Sequence, residues 1–161
     1  MSPLHALSRR VAASPAGAAL LSRVLHRLDR VVIGMTGGRR SFAGLLAGVE
    51  VVLVTTTGAR SGRPRTVPLL TVAEGDALVV VGSNWGRPAP PAWLANLRRT
   101  PAATVERGGV SGSFTAREAD AAERALLWPR LDAVYPGYRE YRRRAGREIA
   151  LVVLEPAGAD A

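Results

Sequence analysis

The 161-residue chain has no cysteine, which removes disulfides, thiolate nucleophiles and cysteine-ligated metals from consideration and leaves no demand for an oxidising compartment. It has no lysine either; all 22 basic residues are arginine, and only two histidines occur, His5 and His26, both in the amino-terminal region and in no motif. A histidine-centred catalytic triad is therefore not expected. No apolar run approaches the roughly 18 residues of a spanning helix, and the amino terminus shows no signal-peptide pattern, so the expectation is a cytoplasmic protein. Aromatics are scarce, with three Trp, three Tyr and two Phe. At this length about 68–70% of the unfolded chain's surface can be buried, enough for one sizeable core.

What is present is positive charge. A net charge of +9 invites a nucleic-acid or anionic-surface reading. The exclusive use of arginine, alongside abundant alanine and glycine, also suits a GC-rich coding bias, so the choice of residue carries less weight than the sign of the charge.

The first 40 residues read as a helical extension. Ser14-Pro15 fits an N-cap followed by proline at the first helical position, and Leu20, Leu21, Val24, Leu25, Leu28, Val31, Val32 and Met35 recur at three- and four-residue spacing. Arg23, His26, Arg27 and Arg30 occupy the other face. Residues 15–35 thus suit peripheral contact with an anionic membrane, with packing on the domain's own core as the more usual fate of such a helix.

From residue 41 to 156 the pattern is that of one β-rich domain with helices (α+β), followed by a short tail over 157–161. Six runs, Val49 to Thr56, Thr66 to Ala73, Ala77 to Gly82, Ala103 to Glu106, Ser113 to Arg117 and Ile149 to Leu154, are short, β-branched or apolar, and separated by turns. They predict a small six-stranded barrel. Helices are expected over Pro91 to Arg99 and from Ala121 to about Arg144, broken at Tyr135-Pro136-Gly137, with Asp120 and Glu123 at capping-box spacing.

Three segments carry candidate chemistry. "TTTGARSGRPRT" (55–66) joins two strands through glycines, hydroxyls and Arg60, Arg63 and Arg65. Gly58 and Gly62 permit close backbone approach and the guanidiniums supply forked donors, the makings of an anion cradle that is neither a P-loop nor a dinucleotide fingerprint; a solvated loop is the plain alternative. Ser83-Asn84-Trp85-Gly86 ends a strand with polar side chains and an aromatic. Trp93 and Asn96, three apart on one helix face, suit a planar heterocycle, against core packing for the tryptophan and a surface position for the amide. Tyr135, Tyr138 and Tyr141 could line an apolar pocket with hydroxyls that orient or protonate a bound carbonyl or nitro group; otherwise they seal the barrel with hydroxyls in water. Arg142, Arg143 and Arg144 are explained by a helix C-terminus, although the run could also attract an anionic tail.

In this order, "LVTTTGARSGRPRTVPL", "VVVGSNWGRPAPPAWLANLRRTP", "ERALLWPRLDAVYPGYREY" and "REIALVVLEP" resemble the deazaflavin-dependent nitroreductase and quinone reductase family over about residues 49 to 156. The resemblance implies a split β-barrel of the flavin-reductase type and a reduced 8-hydroxy-5-deazaflavin coenzyme with a phosphodiester and a polyglutamate tail. It further implies that Arg60, Ser61 and Arg65 hold the phosphate and that Val67, Pro68, Gly82, Ser83 and Asn84 line the ring. Ala92, Trp93 and Asn96 would close the pocket, while Leu70, Ser83, Trp85, Tyr135, Tyr138 and Tyr141 would face a small-molecule acceptor of quinone, nitroaromatic or enone type. Proton delivery would fall to Tyr138, Tyr141 or Ser83, or to water they hold, with no metal. Where many relatives carry lysine or glycine this chain has Asn84 and Trp85, and Leu94 replaces a common tyrosine, so the acceptor side is reshaped. Two other readings remain: an FMN-dependent split-barrel oxidoreductase, and a non-catalytic basic module for membrane or nucleic acid, the latter disfavoured because no aromatic-interleaved basic strand occurs.

Overall fold

A computed structural model describes residues 50–158. The helix expected over 15–35 and the extension over 1–40 lie outside the described residues. Six strands, β1 (Val51–Thr57), β2 (Pro64–Glu74), β3 (Ala77–Val81), β4 (Ala102–Arg107), β5 (Val110–Glu118) and β6 (Leu151–Pro156), close into an antiparallel barrel in the order β1-β2-β3-β6-β5-β4. Helix α1 (Ala92–Arg99) follows β3, and α2 (Ala121–Val134) and α3 (Gly137–Ala145) link β5 to β6. The six-strand expectation holds, with ends shifted by up to three residues. β2 begins at Pro64, whose missing N–H is tolerated at a strand's first residue.

The strand patterns follow from which faces are covered. β1 alternates, with Val52, Val54 and Thr56 turned inward. β3 and β6 do not alternate, because both of their faces are buried. Leu78 and Val80 of β3 and Val152 and Leu154 of β6 join Val52, Val54, Val105, Trp93, Leu94 and Leu97 in the barrel interior. Val79, Val81, Leu151 and Val153 point the other way, into a second core with Leu127, Leu131, Ile149 and the three tyrosines. Two runs of consecutive aliphatics are thus the wall between two cores.

Helix α2 starts at a capping box. The Glu123 N–H donates to Asp120 Oδ1 (2.8 Å) and the Asp120 N–H donates to Glu123 Oε2 (2.9 Å), as the spacing predicts. The expected break at Tyr135-Pro136-Gly137 separates α2 from α3. Gly137 is required there, since an added Cβ would lie 2.5 Å from the Tyr135 ring. Asp132, buried near the end of α2, accepts from Arg139 and Arg142 of α3, and Arg142 stacks over Trp128 at 4.0 Å. That ionic clamp fixes the angle between the two helices.

Candidate active site

The hairpin between β1 and β2 presents the basic turn. Its backbone is pinned internally by Gly58 N–H to Arg63 O and Gly62 N–H to Gly58 O, both 2.8 Å, with Gly62 in the left-handed region at φ 65°. At Gly58 a Cβ would fall 2.7 Å from Ser61 Oγ and 3.0 Å from the Arg63 carbonyl, so the turn closes on itself only around glycine. Thr55 and Thr66 exchange a hydroxyl hydrogen bond (2.8 Å) across the hairpin's foot.

One buried amide fastens this turn to the rest of the domain. Asn96 of α1 accepts from the Ala59 N–H (2.8 Å) and donates through Nδ2 to Thr56 Oγ1 (3.0 Å). Thr56 in turn donates weakly to the Arg65 carbonyl (3.4 Å). Asn96 is 7% exposed and Thr56 2%, so this link from α1 to β1, the turn and β2 is shielded from water.

The charge distribution is uneven. Arg98, Arg107, Arg117, Arg124, Arg130, Arg139, Arg142 and Arg143 each pair with a carboxylate. Among the described residues, no carboxylate pairs with Arg60, Arg63 or Arg65. Three exposed guanidiniums on one short, backbone-pinned turn are therefore left uncompensated. Such a turn suits an anion with several acceptor oxygens.

The end of β3 forms the second part. After Gly82, whose N–H donates to the Ala150 carbonyl (2.9 Å), the chain makes a short 3-10 turn over Asn84–Gly86. Asn84 (φ 45°) and Trp85 (φ 59°) both adopt left-handed backbone, which costs a non-glycine residue about 1–3 kcal/mol unless the surroundings enforce it. The enforcement is visible: Asn84 Nδ2 donates to the Ala89 carbonyl (2.8 Å), and the Trp85 indole meets the Tyr141 ring edge-on at 6.3 Å.

The third part is the tyrosine group. Tyr135, Tyr138 and Tyr141 are 4%, 5% and 2% exposed and contact one another at centroid distances of 5.1–6.3 Å. The Tyr135 and Tyr141 hydroxyls hydrogen-bond to each other at 3.0 Å. The alternative in which the phenols seal the barrel with hydroxyls in water is therefore corrected: a second core covers the outer face of β3 and β6, and the phenols are enclosed in it. Burial pushes the Tyr138 and Tyr141 phenols well above the ordinary tyrosine value. Both stay protonated through the neutral range.

Comparison with known proteins bears on what this arrangement serves. A model of the F420H(2)-dependent quinone reductase family matches residues 25–156, reaching back beyond residue 49. The chain belongs to that family. An F420H(2)-dependent quinone reductase of Mycobacterium tuberculosis is 33% identical over 106 residues, 64% of this chain and 71% of the relative. A solved structure described as an F420-H2 dependent reductase (FDR-A) superposes with a TM-score of 0.61 at 37% identity, covering 66% of this chain and 94% of that one. Another, described as a domain-swapped dimer, gives a TM-score of 0.62 at 32% identity over 83% and 98%. The chain is thus an oxidoreductase by family, and the split-barrel expectation holds. The family match favours the deazaflavin expectation and lends none to the FMN alternative.

Within this reductase fold the expected site residues fall into three groups. Arg60, Ser61 and Arg65 are exposed on the hairpin, with Val67, Pro68 and Leu70 half-buried further along β2. Gly82 and Ser83 are buried at the end of β3, Asn84 and Trp85 are half-buried beyond it, and Ala92 is exposed at the start of α1. Trp93 and Asn96 are buried, the ring in the barrel interior and the amide on the hairpin.

Sequence reasoning missed Thr56, the inward partner of Asn96, and Arg147 just beyond α3, and it took Arg144 only as part of a basic run at a helix end. Alternation along β1 could have assigned Thr56 inward. Nothing local marks Arg144 and Arg147, whose partners lie about 60 residues away in the chain. The run Arg142 to Arg144 divides among Asp132, Glu140 and the Trp85 carbonyl, so it is not a free cationic patch. Among the described residues no helix is long and apolar enough to cross a membrane.

Proposed function

We propose that this chain is a cytoplasmic reductase that transfers a hydride from a reduced 8-hydroxy-5-deazaflavin coenzyme to an organic acceptor of quinone, nitroaromatic or enone type. The observation that carries the reading is the uncompensated Arg60, Arg63 and Arg65 turn, anchored by Asn96, in a member of this family.

The residues present fit the coenzyme. Arg60 and Arg65, with Ser61, would hold its phosphodiester, and Val67, Pro68 and the Gly82, Ser83 and Asn84 turn would line its ring. Ala92 would close the pocket at the start of α1, with Trp93 behind it in the barrel interior and Asn96 acting through the hairpin it fastens. When bound, the coenzyme supplies a hydride, two electrons with one proton, and the acceptor needs one further proton to complete its reduction. Leu70 and Trp85 would bound the acceptor side, backed by Tyr135, Tyr138 and Tyr141.

Enclosed in the second core, the tyrosines would shape the acceptor side and would not act as acids. A phenol that gave up its proton would become a phenolate in apolar surroundings, which burial disfavours. Tyr138 and Tyr141 would therefore keep their protons, and Ser83, buried at the end of β3, would remain as the hydroxyl to relay one to the acceptor. The protein's contribution is orientation and exclusion of water.

The test is a fluorescence titration of the purified chain with the deazaflavin coenzyme and, separately, with FMN. Selective deazaflavin binding, followed by coenzyme oxidation on adding a quinone, is expected. Binding of neither would refute the reading.

A further inference from the structure

We propose that Arg144 and Arg147 are positioning residues, gripping the carbonyl groups of Gly82, Ser83 and Trp85 so that the backbone N–H groups of Ser83 and Asn84 are aimed at a ring carbonyl of the coenzyme. The coenzyme half of this inference rests on the function proposed above; the grip itself does not.

Arg147 Nη2 donates to the Gly82 carbonyl at 3.0 Å and to the Ser83 carbonyl at 3.3 Å, and Arg144 Nη2 donates to the Trp85 carbonyl at 2.7 Å. Neither arginine pairs with a carboxylate among the described residues, whereas the adjacent Arg142 and Arg143 both do. Arg144 also lies over the Tyr141 ring at 5.3 Å. The arrangement is costly: Arg144 Nη1 and Arg147 Nε are buried without a hydrogen-bond partner, and burial lowers the Arg147 pKa, with Arg98 adding to the effect. Two half-buried guanidiniums, each with one buried nitrogen left unpaired, held on three main-chain carbonyls of one turn are more than an ordinary loop requires.

The strained backbone lies where the grip is applied. Ser83 is right-handed helical (φ −72°, ψ −31°), Asn84 and Trp85 are left-handed, and Gly86 follows at φ 72°. A Cβ at Gly86 would meet Arg144 Nε at 2.9 Å and the Tyr141 Cα at 3.0 Å, so α3 rests directly on the turn. No cis peptide occurs among the described residues. In a trans peptide the N–H points opposite to the carbonyl of the preceding residue. Drawing the Gly82 and Ser83 carbonyls toward Arg147 therefore turns the Ser83 and Asn84 N–H groups the other way, and a right-handed residue followed by left-handed ones gathers successive N–H groups into one concavity suited to an electronegative oxygen.

The experiment compares Arg147→Gln, Arg147→Lys, Arg144→Met and Arg144→Lys in the full chain by two measurements. The first is amide hydrogen exchange of Gly86 and Arg87, whose N–H groups donate to Ser83 O and Asn84 O within the turn. The second is deazaflavin affinity by fluorescence titration, with Arg65→Ala as a variant expected to lose affinity and keep turn protection. Arg147→Gln should exchange about tenfold faster at both amides and bind about tenfold more weakly, the scale of losing hydrogen bonds from a charged donor. Arg147→Lys should be intermediate, because one ammonium lacks the planar fork, while Arg144→Lys, with a single carbonyl to reach, should be rescued relative to Arg144→Met. Unchanged exchange in Arg147→Gln would overturn the grip. Faster exchange with unchanged affinity would overturn its role toward the coenzyme. If the wild-type chain binds no deazaflavin, the proposed function falls with the coenzyme half, and exchange alone still decides the grip.

Discussion

Replacing Asn96 by leucine isolates the buried link between α1 and the basic hairpin. The side chains have the same heavy-atom count and branching, so the change removes two hydrogen bonds while nearly preserving shape. Loss of the acceptor for the Ala59 N–H (2.8 Å) leaves a part-buried donor unsatisfied, at about 1–3 kcal/mol. Loss of the bond to Thr56 Oγ1 (3.0 Å) removes about 0.5–1.5 kcal/mol more. Leucine's apolar burial beside Trp93 and Leu97 offsets about 1–2 kcal/mol. The terms centre on a net loss of about 1.5 kcal/mol, read as a lower urea midpoint with an unchanged m-value. Coenzyme affinity should fall as well, although no arginine is altered, because the turn carrying Arg60 and Arg65 is released. Thr56→Val in the same background gives a double-mutant cycle. With both partners removed, the combined loss should be smaller than the sum of the single losses by about 0.5–1.5 kcal/mol. An Asn96→Leu variant more stable than wild type by over about 0.5 kcal/mol, or a strictly additive cycle, would refute the reasoning.

Three other outcomes are expected. Arg60→Ala or Arg65→Ala should weaken deazaflavin binding by about 1.5–3 kcal/mol in a fluorescence titration while leaving the urea midpoint in place, since neither side chain has a carboxylate partner among the described residues. Tyr141→Phe removes the 3.0 Å hydroxyl bond to Tyr135 and should cost about 0.5–1.5 kcal/mol of stability in the same urea assay, with coenzyme affinity retained. The hydrogen bond from Arg117, then the Asp120 N–H, holds the Glu123 carboxyl at about 2, below its ordinary 4.5. Because the folded-state pKa is the lower one, this contribution is present above about pH 4.5 and is lost as pH falls through about 2. The melting temperature of Glu123→Gln should accordingly depend less on pH across that window than that of wild type, and equal slopes would count against the capping assignment.

Local chemistry made much of this protein legible in its sequence. Alternation and short β-branched runs determined six strands, since a half-buried strand must repeat every two residues. Asp120 and Glu123 marked the start of α2, and Tyr135-Pro136-Gly137 marked its end, because capping and helix breaking act within a few residues. The glycines and arginines of residues 58–65 marked a candidate anion site for the same reason: one turn holds all the groups such a site would need. Tertiary structure decided what depends on partners far apart in the chain. Val79 and Leu78 look alike in sequence, yet they face different cores because α2 and α3 cover one side of β3. Asn96 and Trp93 share a helix face, but only the closed barrel sends the ring inward and the amide to the hairpin. The left-handed backbone at Asn84 and Trp85 opposes local preference, and contacts from distant parts of the chain accompany it: Tyr141 meets the Trp85 ring, and Arg144 and Arg147 donate to the Trp85, Gly82 and Ser83 carbonyls.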